Sequence, residues 1–187
     1  MPSVRVITGT AKGRKLQSLK GQKTRPTADR VKESLFSILG DRVRAGWFLD
    51  LYAGSGAIGI EALSRGASGA IFIDNSRAAV RILKGNLDRV DLESKAEVYA
   101  TDVLRGIAAL AARDMEFSCI FLDPPYDQGK VTPTLMALSQ ACLVAADTIV
   151  VAEHSQGETV PEQVDSLDKV RVQVYGDTVL SFFRCRG

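Results

Sequence analysis

The stretch that decides the fold runs from residue 49 to residue 59 and reads Leu-Asp-Leu-Tyr-Ala-Gly-Ser-Gly-Ala-Ile-Gly. Its apolar start predicts a buried strand, and the glycines at 54, 56 and 59 match the Gly-x-Gly-x-x-Gly pattern that joins a strand to a helix. Glycine permits a tight turn and lets a ligand approach the backbone. Alone, the pattern equally suggests a nicotinamide dinucleotide site, and a tight turn without a ligand is a further alternative.

Strand-like and helical stretches alternate from Trp47 onward, which indicates βαβ units and a parallel sheet with helices on both faces. Two final strands joined at Gly176-Asp177 predict an antiparallel hairpin. Together they predict the α/β, Rossmann-like fold of class I methyltransferases, a seven-stranded, mostly parallel sheet that ends in a hairpin. The predicted strands are 47–52, 70–74, 96–100, 117–122, 147–153, 168–175 and 178–185, and the predicted helices lie near 56–66, 76–90, 103–113 and 130–144.

Acidic residues after the strands favour S-adenosyl-L-methionine over a dinucleotide as the ligand. Asp50 precedes the glycine loop, where a carboxylate suits the cationic ammonium of a methionine moiety and would repel a pyrophosphate. Asp74 ends the second strand, 18 residues after Gly56, where an acid binds ribose hydroxyls in both cofactor classes. Asp102 follows the third strand and is placed either to accept a hydrogen bond from the adenine amino group or to cap the next helix.

The sequence Asp123-Pro124-Pro125-Tyr126 directly follows the apolar run 120–122. Proline fixes φ and donates no N–H, so nearby carbonyls can point away from the sheet. We predict a clamp in which Asp123 and the Pro124 carbonyl each accept one hydrogen of an exocyclic amine, while the target ring stacks on Tyr126. Catalysis would then consist of positioning and electrostatics, with no metal and no covalent intermediate. The pattern is typical of amino-group methyltransferases acting on nucleobases or glutamine amides.

Positive charge is concentrated near the N-terminus, where residues 1–46 hold eleven Lys/Arg against three Asp/Glu although the whole chain carries only +2. Such an arm on an acidic body suggests a polyanionic partner, although a solvated lysine-rich tail has the same charge pattern. A helix should follow Arg25-Pro26, with Thr27 as its N-cap and Gly40 as its C′ residue. We expect 1–46 to be an arm and helix within the same domain as the Rossmann-like part, 47–187.

Other features limit the chemistry. Cys119, Cys142 and Cys185 contain no Cys-x-x-Cys pair, which argues against a disulfide framework or a zinc site. We predict the first two to be small core residues and the only histidine, His154, to be structural.

No apolar run approaches the roughly 20 residues of a membrane span, and the N-terminus lacks a signal-peptide core. We therefore expect a cytoplasmic protein without membrane association.

These motifs together resemble the RsmD-type 16S ribosomal RNA guanine-N2 methyltransferases, and the resemblance covers nearly the whole chain. It implies transfer of a methyl group from S-adenosyl-L-methionine, with S-adenosyl-L-homocysteine as product, to the N2 amine of one guanine in 16S rRNA or the small ribosomal subunit. A monomer is expected. The matching segments are Arg25-Pro26-Thr27 through Phe36, Asp50 through Gly59, Glu61 through Ala67, Asp123 through Tyr126, and Val174 through Thr178.

The resemblance also assigns roles to residues beyond the clamp. At the ribose position this chain has Asp74 where the family more commonly has Glu, one methylene longer, but the role should persist. No metal ligands are implied. The implied cofactor-binding residues are Asp50, Tyr52, Ala53, Gly54, Ser55, Gly56, Asp74, Asn75, Asp102 and Val103. The implied RNA contacts are Lys12, Arg14, Lys15, Arg25, Thr27 and Arg30, together with Lys20 and Lys23.

Alternative functions remain open from the residues themselves. A DNA adenine-N6 or cytosine-N4 methyltransferase uses the same clamp but usually carries a separate target-recognition domain, for which this chain has no room. A protein glutamine-amide methyltransferase favours Asn where this chain has Asp123. A binding module that merely retains the fold would not need every catalytic position filled. The choice among guanine, adenine and cytosine rests on the resemblance, because the clamp itself tolerates all three bases.

Overall fold

A computed structural model describes residues 4–18, 26–113 and 115–186, with only the backbone described for 26–28. The helices are α1 (Pro26–Leu39), α2 (Ala57–Ser64), α3 (Arg77–Arg89), α4 (Val103–Ala111) and α5 (Val131–Gln140), with 3-10 turns at Gly40–Arg44 and Glu93–Lys95. The strands are β1 (Trp47–Leu51), β2 (Gly69–Asp74), β3 (Ala96–Ala100), β4 (Phe117–Leu122), β5 (Ile149–Ser155), β6 (Gln163–Val164), β7 (Leu167–Tyr175) and β8 (Thr178–Cys185).

All eight strands form one sheet in the order β3-β2-β1-β4-β5-β8-β7-β6. Strands β1 to β5 are parallel, and β8 inserts antiparallel between β5 and β7. The predicted fold class is confirmed, and the two-residue β6 adds a short edge strand to the seven predicted. The order reverses between β1 and β4, and ligands of open α/β sheets bind at such a point, outside the carboxyl ends of the strands.

Side chains alternate across the sheet between two buried clusters. Phe48 and Phe121 pack into the cluster that contains α1 residues such as Leu35, whereas Leu49 and Leu122 pack into the cluster beneath α4 and α5. Four neighbouring strands each carry an acidic residue two positions after a residue of the α1-side cluster. These acidic residues therefore share the α1 face, near the carboxyl edge of the sheet. These residues are Asp50, Asp74, Asp123 and Glu153.

The N-terminal segment from Val4 to Ser18 is docked on the body. An antiparallel bridge joins Arg5 to Lys15, and Val6, Ala11 and Leu16 are buried in the α1-side cluster. This apolar burial explains why a segment rich in Lys and Arg packs against the domain. The arm therefore shares a core with the rest of the chain.

Buried polar side chains of α2 and α3 fix the backbone of this segment. Glu61 is fully buried and accepts hydrogen bonds from the backbone N–H groups of Ile7, at 2.8 Å, and Thr8, at 3.0 Å. The ammonium of Lys32, itself buried, lies 3.5 Å from the Glu61 carboxylate. Asn86 accepts from the Gln17 N–H at 2.8 Å and donates to the Gln17 carbonyl at 2.9 Å. Each buried polar group thus has partners, which its burial requires.

Several predicted boundaries of the elements differ from the structure. Helix α1 begins at Pro26, so Thr27 lies inside its first turn and the prediction of Thr27 as N-cap is wrong. Proline suits the first helical position because its missing N–H would have no intrahelical partner there. Gly40 has φ of +55°, as a C′ residue requires, but the chain continues into a 3-10 turn.

Of the two cysteines predicted to lie in the core, one is buried and the other is exposed. Cys119 is buried on β4, as predicted, and burial raises the pKa of its thiol to about 11. Cys142 is exposed, so its prediction as a core residue is wrong. Helix α5 ends at Gln140 rather than near 144, and Cys142 has φ of +54°, which turns the chain out of the helix.

His154 is buried on β5 with its Nε2 2.9 Å from the Ser181 hydroxyl, in agreement with its predicted structural role. Among the helices in the described ranges, none combines the length and apolar character that crossing a bilayer requires.

Candidate active site

Two carboxylates hold the loop between β1 and α2. Oδ2 of Asp50 accepts a hydrogen bond from the Gly59 N–H at 2.9 Å. Oδ2 of Asp74 accepts from the Gly54 N–H at 2.8 Å, while its Oδ1 accepts from the Ser76 N–H at 2.8 Å. These hydrogen bonds tie the loop and the start of α2 to the ends of β1 and β2.

Glycine is required for different physical reasons at positions 54, 56 and 59. A Cβ at Gly56 would lie 2.1 Å from Leu83, and one at Gly59 would lie 2.3 Å from the ring of Phe72, so both positions are closed by packing. Gly54 has φ of +56°, and a Cβ there would meet nothing closer than the Tyr52 carbonyl at 4.0 Å. Open space above an ordered backbone N–H beside a carboxylate fits the ribose and methionine parts of the predicted cofactor.

Asp50 lies beneath this loop, 2% exposed. Desolvation raises its pKa to about 8, the Gly59 N–H opposes that rise, and the charge of Asp74 adds to it. Its observed partner is therefore the backbone N–H of Gly59 in the first turn of α2. The predicted contact with a ligand ammonium stays a prediction, and a cation above the loop would favour the ionised form of Asp50.

Tyr52 follows β1 in the left-handed region, with φ of +60°. Its hydroxyl lies 2.9 Å from that of Thr134 on α5, and the neighbouring Ala53 N–H donates to the Ile73 carbonyl at 3.1 Å. Such a conformation is uncommon for a bulky residue and is kept where the surroundings fix it. Behind the loop, the carbonyl of the buried Ser55 accepts from Asn86 at 2.9 Å.

The remaining predicted cofactor residues lie along the edge formed by β2 and β3. Asn75 is exposed directly after Asp74. Asp102 caps α4, because its Oδ1 accepts from the N–H groups of Leu104, at 3.0 Å, and Arg105, at 3.3 Å. The capping alternative is thus observed, and contact of Asp102 with an adenine stays a prediction. The side chain of Val103 is buried in the core, which leaves its backbone as the part nearest the edge.

The predicted clamp follows β4, adjacent to the glycine loop. The Asp123 N–H donates to the Leu51 carbonyl at 3.4 Å, which connects the ends of β4 and β1. Pro124 is buried, whereas Asp123, Pro125 and Tyr126 are exposed. The structure therefore brings the predicted clamp and the predicted cofactor loop to one place.

Tyr126 is held by its hydroxyl group. The hydroxyl donates to Oε1 of Glu153 at 2.8 Å and lies 3.4 Å from the Thr178 hydroxyl, while the residue remains 39% exposed. In the same loop, Asp127 accepts from the Ser155 hydroxyl at 2.7 Å. A ring fixed at its polar end and open on its surface can stack on a planar ligand.

Carboxyl groups dominate the electrostatics of this edge. The pKa of Asp123 is raised well above its ordinary value, first by desolvation and then by the charges of Glu153 and Asp50. Its side chain reaches solvent, but it lies among densely packed protein atoms. The pKa of Glu153 is also raised by burial, against the hydrogen bond from Tyr126. Burial and Glu153 likewise raise the pKa of Tyr126, so it remains a donor.

Sequence reasoning missed Glu153, Thr178 and the contact between Ser34 of α1 and Tyr175. One available signal was position. Glu153 directly follows a run of apolar residues, as Asp50, Asp74 and Asp123 do, and such runs in parallel strands end at the same edge of the sheet. The contacts of Ser34 and Thr178 also give physical roles to the helix and hairpin motifs.

The predicted RNA-contact residues differ in availability. Lys12, Lys15 and Arg30 are exposed. Arg14 is engaged, because its Nη1 donates to Asp91 at 2.7 Å and to the Arg89 carbonyl at 2.9 Å. Arg25, Lys20 and Lys23 lie outside the described residues, as does the side chain of Thr27. Within the described part of the chain, no cluster of three or more His, Cys, Asp or Glu side chains could hold a metal ion.

Comparison with known proteins gives concordant results in sequence and in structure. The family described as "Conserved hypothetical protein 95" matches residues 4–184. "Putative rRNA methyltransferase YlbH" of Bacillus subtilis (strain 168) is 42% identical over 184 residues, covering 98% of this chain and 100% of the relative. "Ribosomal RNA small subunit methyltransferase D" of Escherichia coli (strain K12) is 30% identical, covering 97% and 89%. The solved structure "Putative methyltransferase yhhF from Escherichia coli" has a TM-score of 0.83 at 30% identity and covers 98% of both chains.

Proposed function

This chain belongs to the family described as conserved hypothetical protein 95, the RsmD-type family that its motifs resemble, and on that premise we propose that it methylates the N2 amine of a guanine in 16S rRNA. The fold and the family are those of S-adenosyl-L-methionine-dependent methyltransferases, in agreement with the predicted cofactor. The names of two relatives supply the ribosomal RNA substrate of this proposal. The base and the atom are our proposal.

A single observation carries the proposal: the clamp and the glycine loop lie at adjacent strand ends. The bond from the Asp123 N–H to the Leu51 carbonyl connects these ends. Adjacent parallel strands lie about 4.8 Å apart. An amine held by the clamp would therefore lie close to a cofactor held by the loop, as direct transfer between the two requires.

The residues of the clamp orient the amine for methyl transfer. The lone pair of an exocyclic amine is delocalised into the aromatic ring, which makes the amine a poor nucleophile. Asp123 and the Pro124 carbonyl accept its two hydrogens and hold the nitrogen with its lone pair directed at the cofactor, while the ring stacks on Tyr126. When bound, S-adenosyl-L-methionine supplies an electrophilic methyl group on its sulfonium. The methylated nitrogen must release a proton, and the Asp123 carboxylate, which accepts a hydrogen bond from that nitrogen, is placed to take it.

Phosphate contacts would come from the exposed basic residues of the docked segment and of α1, namely Lys12, Lys15 and Arg30. Such contacts make affinity fall with salt in proportion to their number. The double substitution Lys12→Ala/Lys15→Ala should weaken RNA binding and reduce the slope of log affinity against log salt by about 1 or more. Arg14→Ala is the matched comparison and should have less effect, because Asp91 already holds Arg14. An unchanged slope in the double variant would exclude this role.

The decisive experiment measures methyl transfer from labelled S-adenosyl-L-methionine to small ribosomal subunits lacking this modification, to naked 16S RNA and to duplex DNA. Product nucleosides are identified by mass. The proposal predicts N2-methylguanosine from a ribosomal substrate, and the better of the two ribosomal substrates defines the assembly stage. Label in DNA, or in protein glutamine, would contradict it.

A further inference from the structure

Glu153 lies beside Asp123 through the register of the sheet. Leu122 of β4 pairs with Ala152 of β5 in parallel, and Asp123 and Glu153 are the next residues on each strand. Neighbours at the same register of adjacent strands project on the same face, about 4.8 Å apart along the hydrogen-bonding direction. The carboxylate of Glu153 is thus a second acidic group at the place where the target amine is proposed to bind.

The contacts of Glu153 occupy one of its two oxygens. Oε1 accepts the Tyr126 hydroxyl at 2.8 Å, and among the described residues Oε2 accepts no hydrogen bond. The residue is half-buried, and burial of a carboxylate is costly unless donors approach it. Glu153 therefore offers an acceptor at a fixed orientation, next to the ring on which the base would stack.

The nucleobases differ in the group that adjoins their amine. In guanine, the N2 amine is next to N1–H, a donor. In adenine and cytosine, the amine is next to an unprotonated ring nitrogen, an acceptor. A flipped or single-stranded base is recognised by hydrogen bonds to this edge. A carboxylate beside the amine clamp accepts from the guanine N1–H and opposes the lone pair of the other two bases.

We propose that Glu153 is the base-selecting residue: its carboxylate accepts the guanine N1–H while Asp123 and Pro124 hold the N2 amine. This inference rests on the proposed function and supplies the base discrimination that the clamp lacks. The electrostatics support this role. The negative charges of Asp123 and Glu153 repel each other, and a base edge that offers two adjacent donors would stabilise both carboxylates. A competing role is purely mechanical, with Glu153 acting only by holding Tyr126.

The test uses 2,6-diaminopurine, which keeps the 2-amino group of guanine but has an acceptor at N1. It replaces the target guanine in the ribosomal substrate that the wild-type protein methylates. A hydrogen bond to a charged group contributes about 10- to 150-fold, so the wild type should prefer guanine by roughly 100-fold in kcat/KM. Equal use of both bases by the wild type would overturn the inference whatever the variants do.

Three variants distinguish selection of the base by Glu153 from a purely mechanical role in holding Tyr126. Glu153→Gln should bring the preference to within about fivefold, because an amide can donate to N1 of the analogue as well as accept from N1 of guanine. Tyr126→Phe removes the hydroxyl but leaves the Glu153 carboxylate, so its rate should fall with the preference retained. Glu116→Gln makes the same charge change at an exposed site before β4 and should match the wild type.

The outcomes distinguish the possible failures. If Glu153→Gln keeps the wild-type preference, or if Tyr126→Phe loses it equally, Glu153 does not select the base. Should Glu153→Gln fail to fold, as thermal unfolding would reveal, equal use of both bases by the wild type, or loss of the preference in Tyr126→Phe, would still overturn the inference. If the wild type methylates no guanine but labels another substrate, the proposed function fails first, and the inference falls with it.

Discussion

The loops that follow β1 and β4 lie side by side but are held in different ways. The glycine loop and the first turn of α2 are fixed by carboxyl groups that accept from backbone N–H groups, Asp74 from Gly54 and Asp50 from Gly59. The clamp loop is fixed mainly through side chains, Tyr126 to Glu153 and Asp127 to Ser155. The cofactor half of the site is thus ordered through its own backbone, whereas the substrate half presents the carboxyl groups of Asp123 and Glu153, whose raised pKa values an incoming hydrogen-bond donor would lower.

The largest expected effect comes from breaking the substrate half with Asp123→Ala. Turnover should fall at least about 100-fold, because a charged hydrogen bond is lost and the effect grows if that bond tightens in the transition state. Cofactor affinity, measured by calorimetry, should change less than about threefold, since Asp123 bonds to no part of the glycine loop. Asp147→Ala, an exposed acid before β5, is the control. Near-wild-type turnover in Asp123→Ala would disprove the clamp.

The complementary change is Asp74→Ala in the cofactor half. It removes the acceptor for the Gly54 and Ser76 N–H groups. Cofactor Kd should rise about 10- to 100-fold, while kcat at saturating cofactor falls much less. Asp88→Ala, exposed on α3, controls for loss of an acid nearby. An effect confined to kcat would show that the two halves are not separable as described.

A smaller effect concerns Asp50 and pH. Its pKa is raised to about 8, so its contribution to stability is fully present below its unfolded pKa and is lost as pH rises through about 8. Asp50→Asn keeps an acceptor for Gly59 without the charge. Between pH 5 and pH 9, the Tm of the wild type should therefore fall relative to that of Asp50→Asn by at least about 4 °C. Parallel pH profiles would contradict this burial argument.

The parts predicted correctly from sequence depend on local signals. The strand before Gly54, the turn that its positive φ requires and the hairpin at Gly176 are each encoded within a few residues. Asp74 and Asp123 were found because each directly follows a run of apolar residues. Their placement at one edge then follows from the parallel sheet.

What sequence reasoning missed depends on pairing between distant segments. The position of Glu153 beside the clamp depends on the register of β4 with β5 and on its hydrogen bond with Tyr126, 27 residues earlier in the chain. The docking of the basic segment depends on Glu61, 54 and 53 residues from its two backbone donors. A buried glutamate on a helix cannot be distinguished from an exposed one until its partners are known. Composition showed the charge of the segment but not its attachment.

The most direct test of guanine-N2 transfer at this clamp compares the wild type with Asp123→Ala on the same ribosomal substrate. Methylated nucleosides are identified by mass at saturating S-adenosyl-L-methionine, and cofactor affinity is measured alongside. We predict N2-methylguanosine from the wild type, at least about 100-fold less from Asp123→Ala, and similar cofactor affinity for both. A different methylated nucleoside, or equal product from the two proteins, would contradict the proposed chemistry.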